Sequence, residues 1–243
     1  MRTSDSLVIA IDGPAGAGKS TVARRVATAL GLRYLDTGAM YRAATLWVLQ
    51  HHVDLSQPSE IEAAVADAVA VLDVVPSPTD PQVRLAEVDV AERIRGPEVT
   101  ATVSLVSAIP GVRRLLVARQ REIIDGGGIV VEGRDIGSVV CPNADVKIFL
   151  TADAAVRAAR RFADGESFHA RDVAAVDADL RRRDRLDAER HASPLAVAPD
   201  AVVLDTTDMD LDAVVCRILQ LVRAADQIPA EAWNETECSR DQR

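Results

Sequence analysis

The sequence predicts an α/β fold: a five-stranded parallel sheet with helices on both faces, plus a small antiparallel β insertion and an Arg-rich segment. Three observations predict it. Short apolar strands alternate with helical patterns along the chain, which implies a mostly parallel sheet covered on both sides. A glycine-rich loop sits between the first strand and the first helix. One proline-rich stretch breaks the alternation between Val69 and Val90.

In chain order, Leu7–Ile11 is an apolar strand, and Lys19–Leu30 is a helix with an apolar face at Val22, Val26, Ala29 and Leu30. Arg33–Leu35 is the second strand and Gly38–His51 the second helix. From Val69 to Val90 three short apolar runs flank Pro76, Pro78 and Pro81, and these read as about three antiparallel strands. Glu98–Ala108 is helical, and Pro110 marks the entry to a helix over Val112–Asp125. Strands follow at Ile129–Val131, Val146–Leu150 and Ala201–Leu204, and helices at Ala154–Phe162, Asp172–Leu186 and Asp210–Asp226. Ser193–Pro199 is a loop, and the polar, aperiodic residues 227–243 are expected to form a disordered tail.

Composition narrows the function. The 243 residues suffice for a full core, and 48% apolar with 27% charged residues suits a globular chain. No apolar run approaches the roughly 20 residues of a membrane span, and no signal peptide is expected. A net charge of −9 and 3% aromatic content argue against nucleic-acid and membrane-surface partners. Yet nine arginines lie between Arg157 and Arg190, which fits a small anionic substrate or a solvated, ion-paired helix. Cys141, Cys216 and Cys238 are sparse and odd in number, as in a reducing, cytoplasmic compartment. The four histidines form no cluster and take no catalytic or metal role.

Gly13-Pro14-Ala15-Gly16-Ala17-Gly18-Lys19-Ser20 carries the strongest chemical signal. It is G-x-x-x-x-G-K-[ST] between a strand and a helix, where small residues let backbone N–H groups close around phosphate oxygens. Lys19 can reach terminal phosphates, and the Ser20 hydroxyl can take a place on Mg²⁺. The chain has two lysines, Lys19 and Lys147, so basic enrichment does not explain one landing here.

Three further segments each allow two readings. In Leu35-Asp36-Thr37-Gly38-Ala39-Met40-Tyr41-Arg42, Thr37 opens a helix and Arg42 follows one turn later, which makes a second phosphate site or an ordinary capped helix. Tyr41 packs in the core or edges the site. Val131-Glu132-Gly133-Arg134-Asp135-Ile136-Gly137 lies at the carboxyl end of a parallel strand, where ligands bind. There Arg134 can clamp a phosphate and Asp135 can accept from an exocyclic amine, unless the two are an incidental pair in a turn. Arg183 to Arg190 alternates charge on a helix, either as a solvated face or as part of a site. Together the segments supply two phosphate regions, a base-reading carboxylate and arginines that exclude water, which is what phosphoryl transfer between nucleotides needs.

The ordered set resembles the bacterial cytidylate kinases (CMP/dCMP kinases), which are P-loop nucleoside monophosphate kinases. Ile11–Ser20, Leu35–Arg42, Val131–Gly137, Val146–Ala152, Arg183-Asp-x-x-Asp187-x-x-Arg190 and Ser193-Pro194-Leu195 carry the likeness, which runs from about Val8 to Val222. It implies a P-loop NTPase fold and transfer of the ATP γ-phosphoryl group to CMP or dCMP, giving CDP or dCDP. By this resemblance Gly13, Pro14, Ala15, Gly16, Ala17, Gly18, Lys19, Ser20 and Thr21 hold ATP, with Ser20 toward Mg²⁺. Arg42, Arg134 and Arg190 surround the CMP phosphate, and Thr37 and Tyr41 are further substrate-binding residues. Ser104, Arg113 and Asp135 read cytosine, while Arg183 and Asp187 meet the ribose. Arg157, Arg160 and Arg161 fall in the lid and, with Lys19 and Arg183, act on the transferring group.

The resemblance also implies a division of the chain. Residues 1–36, 109–152 and 188–226 make the core domain, 37–108 a monophosphate-binding domain with its insertion at about 69–90, and 153–187 the lid. Ala86-Glu87-Val88-Asp89 departs from the family in lacking a glycine turn. No helix shows a spare apolar face, so a monomer is expected. Two other readings stay open. One is a small P-loop kinase acting on UMP, AMP or a non-nucleotide acceptor. The other is a nucleotide-binding regulatory switch, although no Asn-Lys-x-Asp guanine motif is present.

Overall fold

The computed structural model describes residues 6–163, 172–188 and 195–225. Five strands, β1 (Val8–Asp12), β2 (Arg33–Asp36), β6 (Ile129–Gly133), β7 (Val146–Thr151) and β8 (Val202–Asp205), form one parallel sheet in the order β2-β6-β1-β7-β8. The three central strands are buried on both faces, hence their unbroken Val/Ile/Leu character. Successive side chains serve opposite faces. Ile9 and Ile11 pack with α1 (Lys19–Leu30) and α8 (Leu211–Ala224), whereas Ala10 joins α2 (Thr37–Gln50), α4 (Pro97–Ala108) and α5 (Pro110–Ile124). Each fully buried Ile contributes about 1.5–3 kcal/mol relative to exposure.

The stretch after α2 holds a helix that the sequence reading lacked, α3 (Pro58–Ala70). Pro58 stands in its first turn, and Ile61, Val65 and Ala68 face the core at helical spacing. Val69 and Ala70, expected as the start of the β insertion, are the end of this helix. The insertion then runs through β3 (Leu72–Val75), β4 (Gln82–Leu85) and β5 (Val88–Asp89), antiparallel as expected. Its tight turn has no glycine, and Ala86 and Glu87 adopt φ of 48° and 68°, the two left-handed positions of a type I′ turn.

Beyond β7, α6 (Ala154–Ala163) and α7 (Val173–Ala188) pack on each other. Ala158 of α6 and Val176 and Leu180 of α7 enclose Ala15 of the glycine-rich loop in a small cluster. The sequence readings at Ser193, Pro194 and residues 227–243 lie outside the described residues. Among the described residues no single helix is long and apolar enough to cross a membrane.

Candidate active site

A cavity of about 500 Å³ opens at the carboxyl ends of the sheet strands, where the crevice of a doubly wound fold is expected. The loop between β1 and α1 forms one of its walls. Gly13 takes φ 149°, and a Cβ there would stand 2.1 Å from the Leu150 carbonyl oxygen, so β7 presses directly on the loop backbone. Gly16 and Gly18 also take left-handed φ, 77° and 84°. The chain thereby turns through a concave run of N–H groups and enters α1 at Lys19. Lys19 folds back and donates from Nζ to the Pro14 carbonyl at 2.7 Å. Burial, and then the nearby Arg134, push its ammonium well below the usual lysine range.

Ser20 Oγ donates to Glu132 Oε2 at 3.0 Å, and Tyr34 of β2 donates its phenol proton to Glu132 Oε1. The β2–β6 register sets Glu132 beside Asp36. Burial, and then Asp36, raise the Glu132 carboxyl above the ordinary range. Hydroxyl and carboxylate oxygens side by side are hard donors, a set whose chemistry fits Mg²⁺. Thr37 Oγ1 donates to the Glu132 carbonyl at 2.7 Å, and Asp36 caps α2 by accepting from Ala39 N at 3.0 Å.

The middle of the cavity is cationic. Arg42 Nη1 donates to the Ile94 carbonyl at 3.2 Å and to Thr100 Oγ1 at 2.8 Å. Burial, followed by Arg183 and Arg161, brings its guanidinium down to about 10. Arg183 Nη2 donates to the Thr100 carbonyl at 3.1 Å, so α7 meets α4 across the site. Arg134 Nε donates to Asp187 Oδ2 at 3.1 Å. Arg95, from a 3₁₀ turn over Arg93–Arg95, lines the same wall 3.9 Å from Asp36.

Elsewhere in the cavity wall Arg113 Nη2 donates to Asp135 Oδ2 at 2.5 Å, and both side chains are 5% exposed. Arg113 also donates to the Ser107 carbonyl at 3.3 Å and lies over the Tyr41 ring, 5.3 Å from its centre. Its Nε is buried without a partner among the described residues. Asp135 enters a π-helical turn over Ile136–Val140, a device common at functional sites. That turn is held by Asp12, which accepts from Ile136 N and Gly137 N at 2.8 Å each. Arg121 donates to the carbonyls of Val139 and Val140 on its far side.

The sequence-predicted residues Ala15 to Thr21, Thr37, Tyr41, Arg42, Ser104, Arg113, Arg134, Asp135, Arg160, Arg161, Arg183 and Asp187 all line this one cavity. Gly13 and Pro14 shape the loop from behind. Arg157 is not brought to the cavity. Its Nε donates to the Ala152 carbonyl and its Nη1 to the Ala15 carbonyl and Asp184, beneath the loop. Arg160 donates to Thr206 Oγ1 and to the Thr206 carbonyl at 3.0 and 2.7 Å, and lines the cavity with Met209 and Leu211. Arg190 lies outside the described residues. Sequence reasoning missed Glu132, Asp36, Arg95, Ser107 and the 206–211 wall. The position of Glu132 at a strand's carboxyl end, opposite the glycine-rich loop, was the available signal.

The chain matches the cytidylate kinase family model over residues 9–224. It is 52% identical over 224 residues to the cytidylate kinase of Rhodococcus opacus (strain B4), covering 90% of this chain and 96% of that one. It is 47% identical over 220 residues to that of Lactiplantibacillus plantarum, covering 89% and 95%. It is also 45% identical over 229 residues to the bifunctional pantoate ligase/cytidylate kinase of Prochlorococcus marinus (strain MIT 9303), covering 93% of this chain and 46% of that one.

Proposed function

We infer the roles of the cavity residues from one premise: this chain belongs to the cytidylate kinase family. The reaction is transfer of the ATP γ-phosphoryl group to CMP or dCMP, with ADP and CDP or dCDP as products. Our reading runs along the cavity. Gly13 to Thr21 hold the donor phosphates, with Lys19 on the terminal ones. Arg160 and the 206–211 wall face the donor nucleoside. Ser20 and Glu132 would hold Mg²⁺, whose positive charge would be supplied beside the phosphates.

The acceptor phosphate lies among Arg42, Arg134 and Thr37, with Arg161 and Arg183 supplying positive charge to the transferring group. The sugar meets Arg183 and Asp187. No general base is required, because the CMP phosphate oxygen is already an anionic nucleophile. The residues align two anions and surround them with fixed donors, which lowers the barrier without proton transfer.

The observation that carries the base assignment is the buried Arg113–Asp135 pair in the cavity wall. Arg113 occupies one Asp135 oxygen, and the other oxygen has lone pairs for the cytosine amine. Uracil would set an oxygen against that carboxylate, which disfavours UMP. Further parts of the reading are a cytoplasmic monomer without nucleic-acid or membrane partners. Its core is 1–36, 109–152 and 188–226, its monophosphate-binding domain 37–108 and its lid 153–187.

A coupled ADP-release assay with Mg·ATP, comparing CMP, dCMP, UMP, AMP and no acceptor, tests it. Rapid ADP formation with CMP and dCMP alone is expected. Equal rates with UMP would refute the base assignment, and turnover independent of any acceptor would refute the kinase reading in favour of a nucleotide switch.

A further inference from the structure

Helix α7 touches both ends of the reaction. Arg183 and Asp187 line the acceptor side, and Arg183 donates to the Thr100 carbonyl of α4. One residue on from Arg183, Asp184 turns the other way. Its Oδ1 accepts from the Ala15 N–H of the donor loop at 3.4 Å, and its Oδ2 accepts from Arg157 Nη1 at 2.6 Å. That same Nη1 donates to the Ala15 carbonyl at 2.9 Å, while Arg157 Nε is anchored on the Ala152 carbonyl at 3.1 Å.

Both backbone groups of Ala15 are therefore held by one ion pair, whose side chains are 10% and 20% exposed. The Ala15 methyl sits against Ala158, Val176 and Leu180 of the same helix pair. Close packing continues at Gly16, where a Cβ would stand 2.9 Å from the Arg157 carbonyl oxygen.

We propose that Asp184, with Arg157, is a positioning residue that sets the register between the donor loop and the acceptor-holding face of α7. Neither member of the pair lines the cavity. It fixes Ala15 on one side and, through the helix backbone, Arg183 and Asp187 on the other. In-line transfer depends on the relative placement of two phosphates, and a misplacement of about 1 Å can cost about 100-fold in rate. A residue of this kind acts on kcat rather than on the affinity for either nucleotide alone.

The proposal rests on the kinase reading above, so wild-type CMP-dependent turnover is measured in parallel, and its absence would sink that reading first. Asp184→Asn keeps the size and removes the charge. The expected result is a kcat lowered by about 10- to 100-fold. The KM for CMP and the Kd for ATP without acceptor should stay within about threefold of wild type. Asp184→Glu should recover part of the loss.

Arg157→Lys keeps the charge but lacks the guanidinium fork, so it should show the same split between kcat and KM. Combined with Asp184→Asn it should do no further harm, because the two act as one unit. If Asp184→Asn does not fold, Arg157→Lys and Asp184→Glu carry the test. A kcat within about twofold of wild type in the folded variants would overturn the proposal. So would independent, multiplicative losses in the double variant, or a lowered Tm with unchanged kinetics.

Discussion

Replacing Asp135 separates base reading from scaffolding. In Asp135→Ala the Arg113 guanidinium loses its 2.5 Å partner while remaining beneath the protein surface, between the Tyr41 ring and the Ser107 carbonyl. Breaking a buried pair by removing one member costs about 3–5 kcal/mol. For a chain of this length that corresponds to a Tm lowered by about 6–20 °C. The catalytic consequence is distinct. A hydrogen bond to a charged group contributes about 1.5–3 kcal/mol, so loss of the contact to the cytosine amine lowers kcat/KM for CMP by about 10- to 150-fold.

UMP, which never gained from that carboxylate, loses less, and the CMP-to-UMP ratio falls by a similar factor. ATP affinity, set at the glycine-rich loop, stays within about twofold. Asp135→Asn sharpens the test, because its amide nitrogen can donate to the uracil oxygen and should raise UMP turnover above that of the alanine variant. Steady-state kinetics with both acceptors and thermal unfolding measure the two effects separately. A CMP-to-UMP ratio within about twofold of wild type, beside a lowered Tm, would show that Asp135 only supports Arg113.

Three other outcomes are expected. Lys19→Met should lower kcat by at least about 100-fold with little loss of stability, since Lys19 is held by one bond to Pro14 and its ammonium is costly to bury; single-turnover phosphoryl transfer measures it. Ser20→Ala should raise the Mg²⁺ concentration for half-maximal turnover by about tenfold and weaken Mn²⁺ binding to the ATP-loaded protein by a similar factor in a spin-resonance titration; unchanged values would remove Ser20 from the metal site. Burial raises the Asp12 carboxyl from 3.8 to about 6, so between about pH 4 and 6 the folded state holds a proton that the unfolded chain has released. The stability this group contributes is therefore present below about pH 4 and is lost, by about 3 kcal/mol, as pH rises through 6. Denaturant unfolding of wild type and Asp12→Asn from pH 4 to 7 should show their difference falling with pH by that amount, and a constant difference would contradict it.

Local chemistry was legible in the chain. The glycine-rich loop, the start of α2 and the strand end at Gly133–Asp135 are each contiguous, so their backbone geometry is set within a few residues. The β insertion was legible from its prolines, although its turn forms at Ala86–Glu87 without the glycine such a turn usually demands. The helix α3 was missed despite Pro58 and the Ile61, Val65, Ala68 spacing, because its remaining surface is polar or small and its periodicity is diluted.

By itself the sequence determined the order of strands and helices apart from α3, the glycine-rich loop with its lysine and serine, and the arginine-rich segment, since each depends on neighbours along the chain. Only the tertiary structure decided which distant groups meet. Glu132 reaches Ser20 across 112 positions because the sheet order puts β6 beside β1, and Arg113 finds Asp135 because α5 packs where the π turn begins. The same packing carries Arg157 away from the cavity, to Ala15 and Asp184, although its residue type and segment resemble those of Arg160 and Arg161. Residue type states what a charge can do, but its partner is chosen by which buried surfaces close on each other, and that is a property of the whole fold.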